Sequence, residues 1–306
     1  LADRLGSALD GHHVFARVNP SVGVTQRVAD ELSMFAGYGE TTRAPSAAEL
    51  ACADPDQPCR LPNAFISDPP LKQVLGLRLK LGLRTQLGPV HKPWLTGSLA
   101  LYGARNQDDI LFVAGSRVGT GYCQNAGQTQ RLGVELALRG DLGPLSWYAS
   151  YALLRATFES ELRLPRNAAA NGGQDDDAAE QEVGKGKRIP GLPLHALKAG
   201  LSYRIVPDLE ISLSMLGQSS QPLRGDESNQ SPFVRGYVVV NAQASYQLLR
   251  ELSVYVRAQN LLDTKFASFG VLANPGEVLP GATDPRFLGP GAPFGLWVGA
   301  VFQNPS

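Results

Sequence analysis

Hydrophobic and polar residues alternate along most of the chain with a period of two. The clearest example sets Leu75, Leu77, Leu79, Leu81 and Leu83 against Gly76, Arg78, Lys80, Gly82 and Arg84. Successive side chains of a β-strand point to opposite sides of its sheet, so this segment predicts a strand with one aliphatic face and one charged face.

The same alternation recurs, with the same character, in later segments. Aliphatic or aromatic positions include Leu132, Val134, Leu136, Leu138, Trp147, Ala149, Tyr151, Leu153, Leu197, Ala199, Leu201, Leu209, Ile211, Leu213, Val254, Val256, Leu296, Val298 and Phe302. We count about eleven strands in this way. Each is close to the roughly 9 to 11 residues that cross a bilayer as a tilted strand.

The connections between these segments alternate in length. Short turns are predicted at 28–31, 88–93, 140–143, 206–208 and 249–251, and long loops at 39–70, 106–127, 161–190, 219–235 and 267–292. Such an asymmetry is typical of transmembrane antiparallel β-barrels, which have short periplasmic turns and long external loops. We therefore predict an all-β chain of this class.

The composition argues against several other classes of protein. Lys and Arg number 28 and Asp and Glu number 28, so the chain has no basic excess that would indicate nucleic acid as a partner. A hydrophobic content of 43% is too high for disorder. No segment offers the 18 or more apolar residues of a membrane-spanning helix. A β-barrel escapes this test because its alternating strands average to ordinary hydropathy.

Four segments resemble, in order, elements of the TonB-dependent outer-membrane receptors. They are 38–46 (YGETTRAPS), 223–229 (LRGDESN), 236–241 (GYVVVN) and 260–266 (NLLDTKF), and the last strand ends at the aromatic Phe302. The resemblance covers 1–306 and corresponds to the carboxyl-terminal half of a complete receptor.

The resemblance also implies a barrel size, a cellular location, a ligand class and partners. Such receptors form 22-stranded barrels in the outer membrane of Gram-negative bacteria. They contact outer-membrane lipid and take up scarce nutrients, most often ferric siderophores, with energy from a TonB-type partner that acts through an N-terminal plug domain. Nothing in this sequence resembles that plug, so we expect the chain to be one barrel segment rather than a whole receptor.

Candidate binding residues follow from the charged face. A lipid-facing Arg or Lys near the bilayer midplane costs about 2 to 4 kcal/mol, so the cations of the strands are expected to face the lumen. The candidates for ligand binding are Arg78, Lys80, Arg84, Arg131 and Lys198 on the wall and Arg224 on an external loop. The alternative is that the wall cations pair with acidic groups, such as Glu135 or Glu210, or with the plug.

Cys52 and Cys59 lie seven residues apart in a Pro/Asp-rich loop, a spacing compatible with a disulfide, the alternative being two free thiols. The four histidines lack neighbouring ligands at metal-site spacing, and no serine stands with a histidine in a nucleophile motif. We predict no catalytic residue, no metal and no cofactor.

Two rival interpretations stay open. The first is an independent small barrel acting as a passive pore or as a hydrolase, for which His195 would have to pair with a serine. The second is a soluble β-sandwich binding module, whose leucine-rich faces would have to pack against each other.

Overall fold

The computed structural model describes residues 13–50, 52, 71–89, 91–114, 121–165, 180–273 and 281–303. The elements are β1 (Ser21–Ala29), β2 (Leu32–Arg43), α1 (Ala47–Leu50), β3 (Val74–Leu87), β4 (Leu95–Gln107), β5 (Ile110–Ala114), β6 (Gly121–Asn125), β7 (Thr129–Leu142), β8 (Leu145–Phe158), β9 (Leu162–Pro165), β10 (Glu180–Val183), β11 (His195–Val206), β12 (Leu209–Gln218), β13 (Tyr237–Gln247), β14 (Leu252–Gln259), β15 (Ala267–Leu272), β16 (Arg286–Pro290) and β17 (Gly295–Phe302).

Eleven strands form one antiparallel sheet in the order β1-β2-β3-β4-β7-β8-β11-β12-β13-β14-β17. This confirms the predicted strand count and fold class. In the described residues β1 and β17 are the two edges of the sheet and do not pair with each other. No helix in this part of the chain is long and apolar enough to cross a membrane.

Short and long connections lie at opposite ends of the sheet, as predicted. The ends of strands joined by short turns, such as residues 30–31 between β1 and β2 or 207–208 between β11 and β12, are called here the turn end. The opposite end is called the loop end. Its long connections contain three hairpins that the sequence pattern did not predict, namely β5–β6, β9–β10 and β15–β16.

The register places the alternating residues on two distinct faces. Leu81 lies opposite Ala36 on β2 and Leu101 on β4, and Leu101 lies opposite Val134 on β7. Because residues directly opposite each other in an antiparallel pair share a face, these side chains form one continuous aliphatic face. The polar face carries the intervening residues, among them Arg78, Lys80 and Arg84.

The aliphatic face is not covered by a second sheet. Leu79 is 48% exposed, Leu101 is 51% exposed and Val298 is 75% exposed. The soluble sandwich interpretation is therefore wrong for the described chain, since it requires these side chains to be buried between two sheets. The described core lies elsewhere, in small apolar clusters under the long connections.

The largest of these clusters lies at the loop end, between β8 and the hairpins. It consists of Tyr122, Ala126, Ala156, Phe158, Leu162, Leu164, Val183 and Ile189. A second cluster joins Leu223, Val234 and Leu272 beneath the loop that precedes β13. These clusters fix the loops to the ends of the strands.

On the polar face, aromatic rings lie over glycines of the neighbouring strand. The cross-strand pairs are Phe35 with Gly82, Tyr102 with Gly133, Tyr148 with Gly200 and Tyr255 with Gly299. A β-carbon at any of these four glycines would overlap the ring. The pairs give a physical reason for glycine at these strand positions, where it would otherwise weaken the sheet.

We expect Gly133→Ala to destabilise the sheet, because the new methyl group must displace the Tyr102 ring. Overpacking of this kind costs about 1 to 3 kcal/mol. The measurement is the midpoint of thermal unfolding of the natural polypeptide in detergent, followed by its heat-dependent migration on gels.

Gly184→Ala is the matched control, because nothing lies within 4 Å of a β-carbon at Gly184. Its midpoint is expected to stay at the natural value or rise slightly. Equal midpoints for the two alanine variants would show that the Tyr102–Gly133 contact is not under steric constraint.

Candidate functional site

The five predicted wall cations all lie on the polar face, but they do not form one cluster. Arg78 and Arg131 share a row with Ala104 between them. Arg84 and Lys198 share a second row, in which Ser98, Ala137 and Ser150 separate them. Four strand spacings between Arg84 and Lys198 correspond to about 19 Å along the wall.

Lys80 is paired with an acidic side chain of the same wall. Its Nζ lies 2.8 Å from Glu135 Oε2, across the intervening strand β4 and above the buried Ala100. This is the pairing with Glu135 that the alternative interpretation anticipated. Both side chains are about half exposed, and ion pairs of this kind contribute only about 0.2 to 1 kcal/mol.

Arg131 belongs to a more buried network at the loop end. Its Nη2 donates to Asp109 Oδ2 at 3.0 Å, and Thr129 Oγ1 donates to the same oxygen at 2.7 Å. Asn106 adds a longer contact of 3.3 Å to that oxygen. The network connects β7 to the connection that follows β4.

Asp109 is held in its charged form by these partners. Burial raises the pKa of the carboxyl group, but the hydrogen bonds from Thr129 and Arg131 and the charge of Arg131 lower it by more, so that the pKa is below its ordinary value. Sequence reasoning does not predict this network, because Asp109 and Thr129 come together only through the register of β4 and β7.

Arg84 lies at the turn end, where its guanidinium carbon is 4.6 Å from the centre of the Phe35 ring. It lines an open recess of about 680 Å³ together with Arg27, Asp30, Glu31 and Arg139. The recess therefore has cations and carboxylates in similar number, and Arg84 does not give it a strong net charge.

Arg78, Lys198 and Arg224 differ from the paired cations. Within the described residues, none of the three has a carboxylate at ion-pair distance. Arg224 lies in the loop before β13, where its backbone exchanges hydrogen bonds with Gly270 and Leu272. Its side chain is exposed next to Gly191.

The loop that carries Arg224 is organised by a buried carboxylate. Asp226 is 3% exposed and accepts hydrogen bonds from the backbone N–H groups of Gln230 and Ser231 at 2.9 and 2.8 Å. Asn229 donates to the backbone oxygen of Arg188 and accepts from its N–H, which ties this loop to the chain before β11.

Two other segments that pointed to a family have structural roles. In 38–46, Ser46 and Glu49 exchange hydrogen bonds as a capping box of α1, and Glu49 also pairs with Arg43 at 2.7 Å. In 260–266, Asn260 binds both the N–H and the C=O of Thr264, and Asp263 accepts from the N–H of Phe294. These contacts close the loop between β14 and β17.

The predicted disulfide falls partly outside the described residues. Cys52 is 2% exposed and packs with Leu71, Val74, Ile110 and Cys123, whereas Cys59 lies outside the described range. The Cys52–Cys59 bond therefore stays a prediction. Burial raises the pKa of the Cys123 thiol to about 11, so this thiol is protonated at neutral pH.

His195 lies on the aliphatic face at the loop end. Its Nδ1 is 2.7 Å from the Tyr151 hydroxyl, whereas its contact with Ser219 runs from the backbone N–H to the serine oxygen. This is not the serine–histidine geometry that the hydrolase alternative requires. In the part of the chain that the structure describes, no group of three or more His, Cys, Asp or Glu side chains could hold a metal.

The sequence of the chain is similar to a known family of proteins. Residues 4–261 match a family model described as TonB dependent receptor-like, beta-barrel. The chain belongs to the TonB-dependent receptor family.

Relatives and solved structures agree with this TonB-dependent receptor assignment. The chain is 23% identical over 256 residues to the probable TonB-dependent receptor BfrD of Bordetella pertussis, and the match covers 81% of this chain and 30% of that protein. The siderophore receptor PiuA from Acinetobacter baumannii has a TM-score of 0.66 at 14% identity, covering 92% of this chain and 35% of that one. The copper transporter OprC has a TM-score of 0.65 at 19% identity, covering 92% of this chain and 38% of that one.

TonB-dependent receptors are outer-membrane proteins of Gram-negative bacteria, and they are transporters and receptors rather than enzymes. The chain spans about a third of the length of the relatives that it matches. The sheet of this chain has the fold of a part of the two solved structures.

We expect Asp109→Asn to lower the free energy of local opening at the loop end of the sheet by about 1 to 3 kcal/mol at pH 7. The reason is that Arg131 loses the charged oxygen to which it donates. The pKa of Asp109 is lower in the folded state, so its stabilisation is complete above the ordinary carboxyl pKa and disappears as the pH falls through the folded value. The difference between natural protein and variant should therefore shrink below about pH 4.

The measurement is hydrogen exchange at the Ala126 amide, which donates to the backbone oxygen of Asp109. Asp108→Asn is the control. Asp108 is the neighbour of Asp109 in the chain, and its positive φ of 52° is one that asparagine tolerates. Equal exchange rates in the two variants, or a difference that does not depend on pH, would contradict the role assigned to Asp109.

Proposed function

We propose that this chain is a wall segment of a 22-stranded outer-membrane barrel that takes part in TonB-energised uptake of a ferric siderophore. Its aliphatic face contacts lipid, and its polar face lines the lumen. The long connections at the loop end project to the cell exterior, and the short turns face the periplasm. A TonB-type protein supplies energy through a plug domain, as the family assignment implies.

The aliphatic face supports the contact with lipid. Leu77, Leu79 and Leu81 are each between 45% and 48% exposed on a face without a covering sheet. Water would penalise this surface by roughly 25 cal/mol for each Å² of apolar area, whereas hydrocarbon does not. The cations of β3 lie on the other face, where they avoid the cost of a charge in the bilayer interior.

The proposed ligand class rests on one observation, namely which wall cations have a carboxylate partner and which do not. Lys80 and Arg131 are already paired, but Arg78 and Lys198 project from the polar face without a carboxylate partner in the described residues. Unpaired cations on a lumenal wall attract anionic ligands and repel free metal cations. This charge favours the ligand class named for PiuA, a siderophore, over the bare copper ion that the name of OprC suggests.

Arg224 adds a candidate contact at the mouth of the barrel. Its backbone is fixed by β15 and its loop by Asp226, so the point from which the exposed side chain projects is defined. A fixed backbone reduces the conformational entropy that is lost on binding. We propose that Arg224 meets the ligand first and that Arg78 and Lys198 attract it further along the wall.

The test is a titration of the purified natural polypeptide with a ferric tris-catecholate complex, followed by tryptophan fluorescence. We expect Arg78→Gln/Lys198→Gln to raise the Kd about tenfold, since each cation contributes a charge-assisted contact. Arg139→Gln/Arg204→Gln is the matched control. It removes two cations of the same face that already lie 3.5 and 3.9 Å from Asp141 and Glu210, and it should leave the Kd unchanged.

Uptake of radioactive iron in cells should in addition require the TonB-type partner. An unchanged Kd in the Arg78/Lys198 variant would contradict the proposed role of these cations. Tight binding of Cu²⁺ without binding of the ferric complex would contradict the ligand class.

A further inference from the structure

Charged residues on the aliphatic face are confined to the loop end. Within the eleven described strands of the sheet, the register assigns Glu40, Arg105 and Arg155 to this face, and His195 lies beside them. The turn end of the same face carries Trp147, Tyr203, Tyr246 and Phe302 and no charged strand residue. A face in contact with two identical leaflets would have no reason for this asymmetry.

Arg105 and Arg155 lie close to each other in the register. Arg105 is opposite Gln130 on β7, and Arg155 is opposite Leu132 on the same strand. Two strand spacings and one step of two residues separate their Cα atoms by about 12 Å. Both side chains are exposed on the aliphatic face, so one ligand on that face can contact both guanidinium groups.

Neither arginine has a carboxylate partner in the described residues. Arg105 donates to the side-chain oxygen of Gln128, a neutral group. The nearby carboxylates are occupied, since Glu40 binds Arg17 at 2.8 Å and Glu159 binds Lys185 at 3.6 Å. Judged by the described residues, the surface therefore has two positive charges without a carboxylate partner, directly above an aliphatic area.

The surface between the two arginines is apolar and shallow. Gly103 lies in the row of Arg155 and provides no side chain, and Leu132, between them, is 44% exposed. Leu79 extends this area along the same row onto β3. Acyl chains can pack here while charged groups remain at the level of the arginines.

We propose that Arg105 and Arg155 form a binding site for a phosphorylated lipid of the external leaflet, with its phosphates on the two guanidinium groups and its acyl chains on Leu79 and Leu132. Planar guanidinium groups bind phosphate oxygens through two parallel hydrogen bonds. The separation of the arginines fits a lipid with two phosphates better than a lipid with one. The site rests on the proposal that the aliphatic face contacts lipid, but it does not depend on the transported ligand.

The Tyr151–His195 pair extends the site toward β11. His195 is opposite Leu153, one step of two residues below Arg155, and its ring is hydrogen-bonded to the Tyr151 hydroxyl. Aromatic and imidazole groups of this kind are typical of the boundary between hydrocarbon and headgroups. The pair therefore marks the level at which the headgroups of the bound lipid begin.

The test uses the natural polypeptide in phosphatidylcholine nanodiscs, to which fluorescent diphosphoryl lipid A is added. Binding is followed by energy transfer from tryptophan. We expect Arg105→Gln/Arg155→Gln to weaken binding at least about tenfold, since charge-assisted contacts to both phosphates are lost. Arg105→Lys/Arg155→Lys keeps the charges without the planar fork and should give an intermediate affinity.

The control Arg139→Gln/Arg204→Gln removes the same number of charges from the polar face and should bind lipid A as the natural protein does. Addition of inorganic phosphate should not displace the lipid. Equal affinity in the natural protein and the Arg105/Arg155 glutamine variant, equal weakening in the control, or displacement by inorganic phosphate would each overturn the lipid site.

Incorporation into the nanodiscs separates this inference from the proposed function. If the natural polypeptide enters phosphatidylcholine nanodiscs but shows no preference for diphosphoryl lipid A, only the lipid site is wrong. If it does not enter them at all, both the lipid site and the proposed contact of the aliphatic face with lipid are wrong.

Discussion

The hydrogen-bond register of the eleven-stranded sheet determines the environment of nearly every side chain in it. Because side chains alternate along a strand, a shift of one residue in any pairing would move a whole row to the opposite face. In the observed register Leu81 meets Ala36 and Leu101, while Lys80 meets Gly37 and Tyr102. An aliphatic face on one side and a charged wall on the other therefore require pairings that keep this alternation in every strand.

The strand count, the faces and the alternation of short and long connections could be predicted from the sequence, because a period of two is a local property. The three outer hairpins were missed because strands of four to six residues, such as Leu162–Pro165 and Ala267–Leu272, are too short to show a period. The Asp109–Thr129–Arg131 network and the pairing of rings with glycines depend on register between strands. That information is not carried by any single segment.

The candidate site was predicted less completely than the fold. Alternation correctly assigned Arg78, Lys80 and Lys198 to one face, but it could not show that Lys80 is neutralised by Glu135 on a strand two positions away. It also did not draw attention to Arg105 and Arg155, since a charge at the end of an aliphatic row resembles an ordinary strand terminus. Only the pairing across β4, β7 and β8 brings these two arginines into one surface.

The most direct test of the two-faced sheet is the accessibility of nitroxide labels placed one at a time at positions 77, 78, 79, 80, 81 and 83 of β3 in the natural polypeptide, reconstituted in lipid. Labels at Leu77, Leu79, Leu81 and Leu83 are predicted to collide with oxygen dissolved in the bilayer, and labels at Arg78 and Lys80 are predicted to collide with a water-soluble nickel chelate. Accessibility without a period of two, or with the two sets exchanged, would contradict the assignment of lipid and lumen to the two faces.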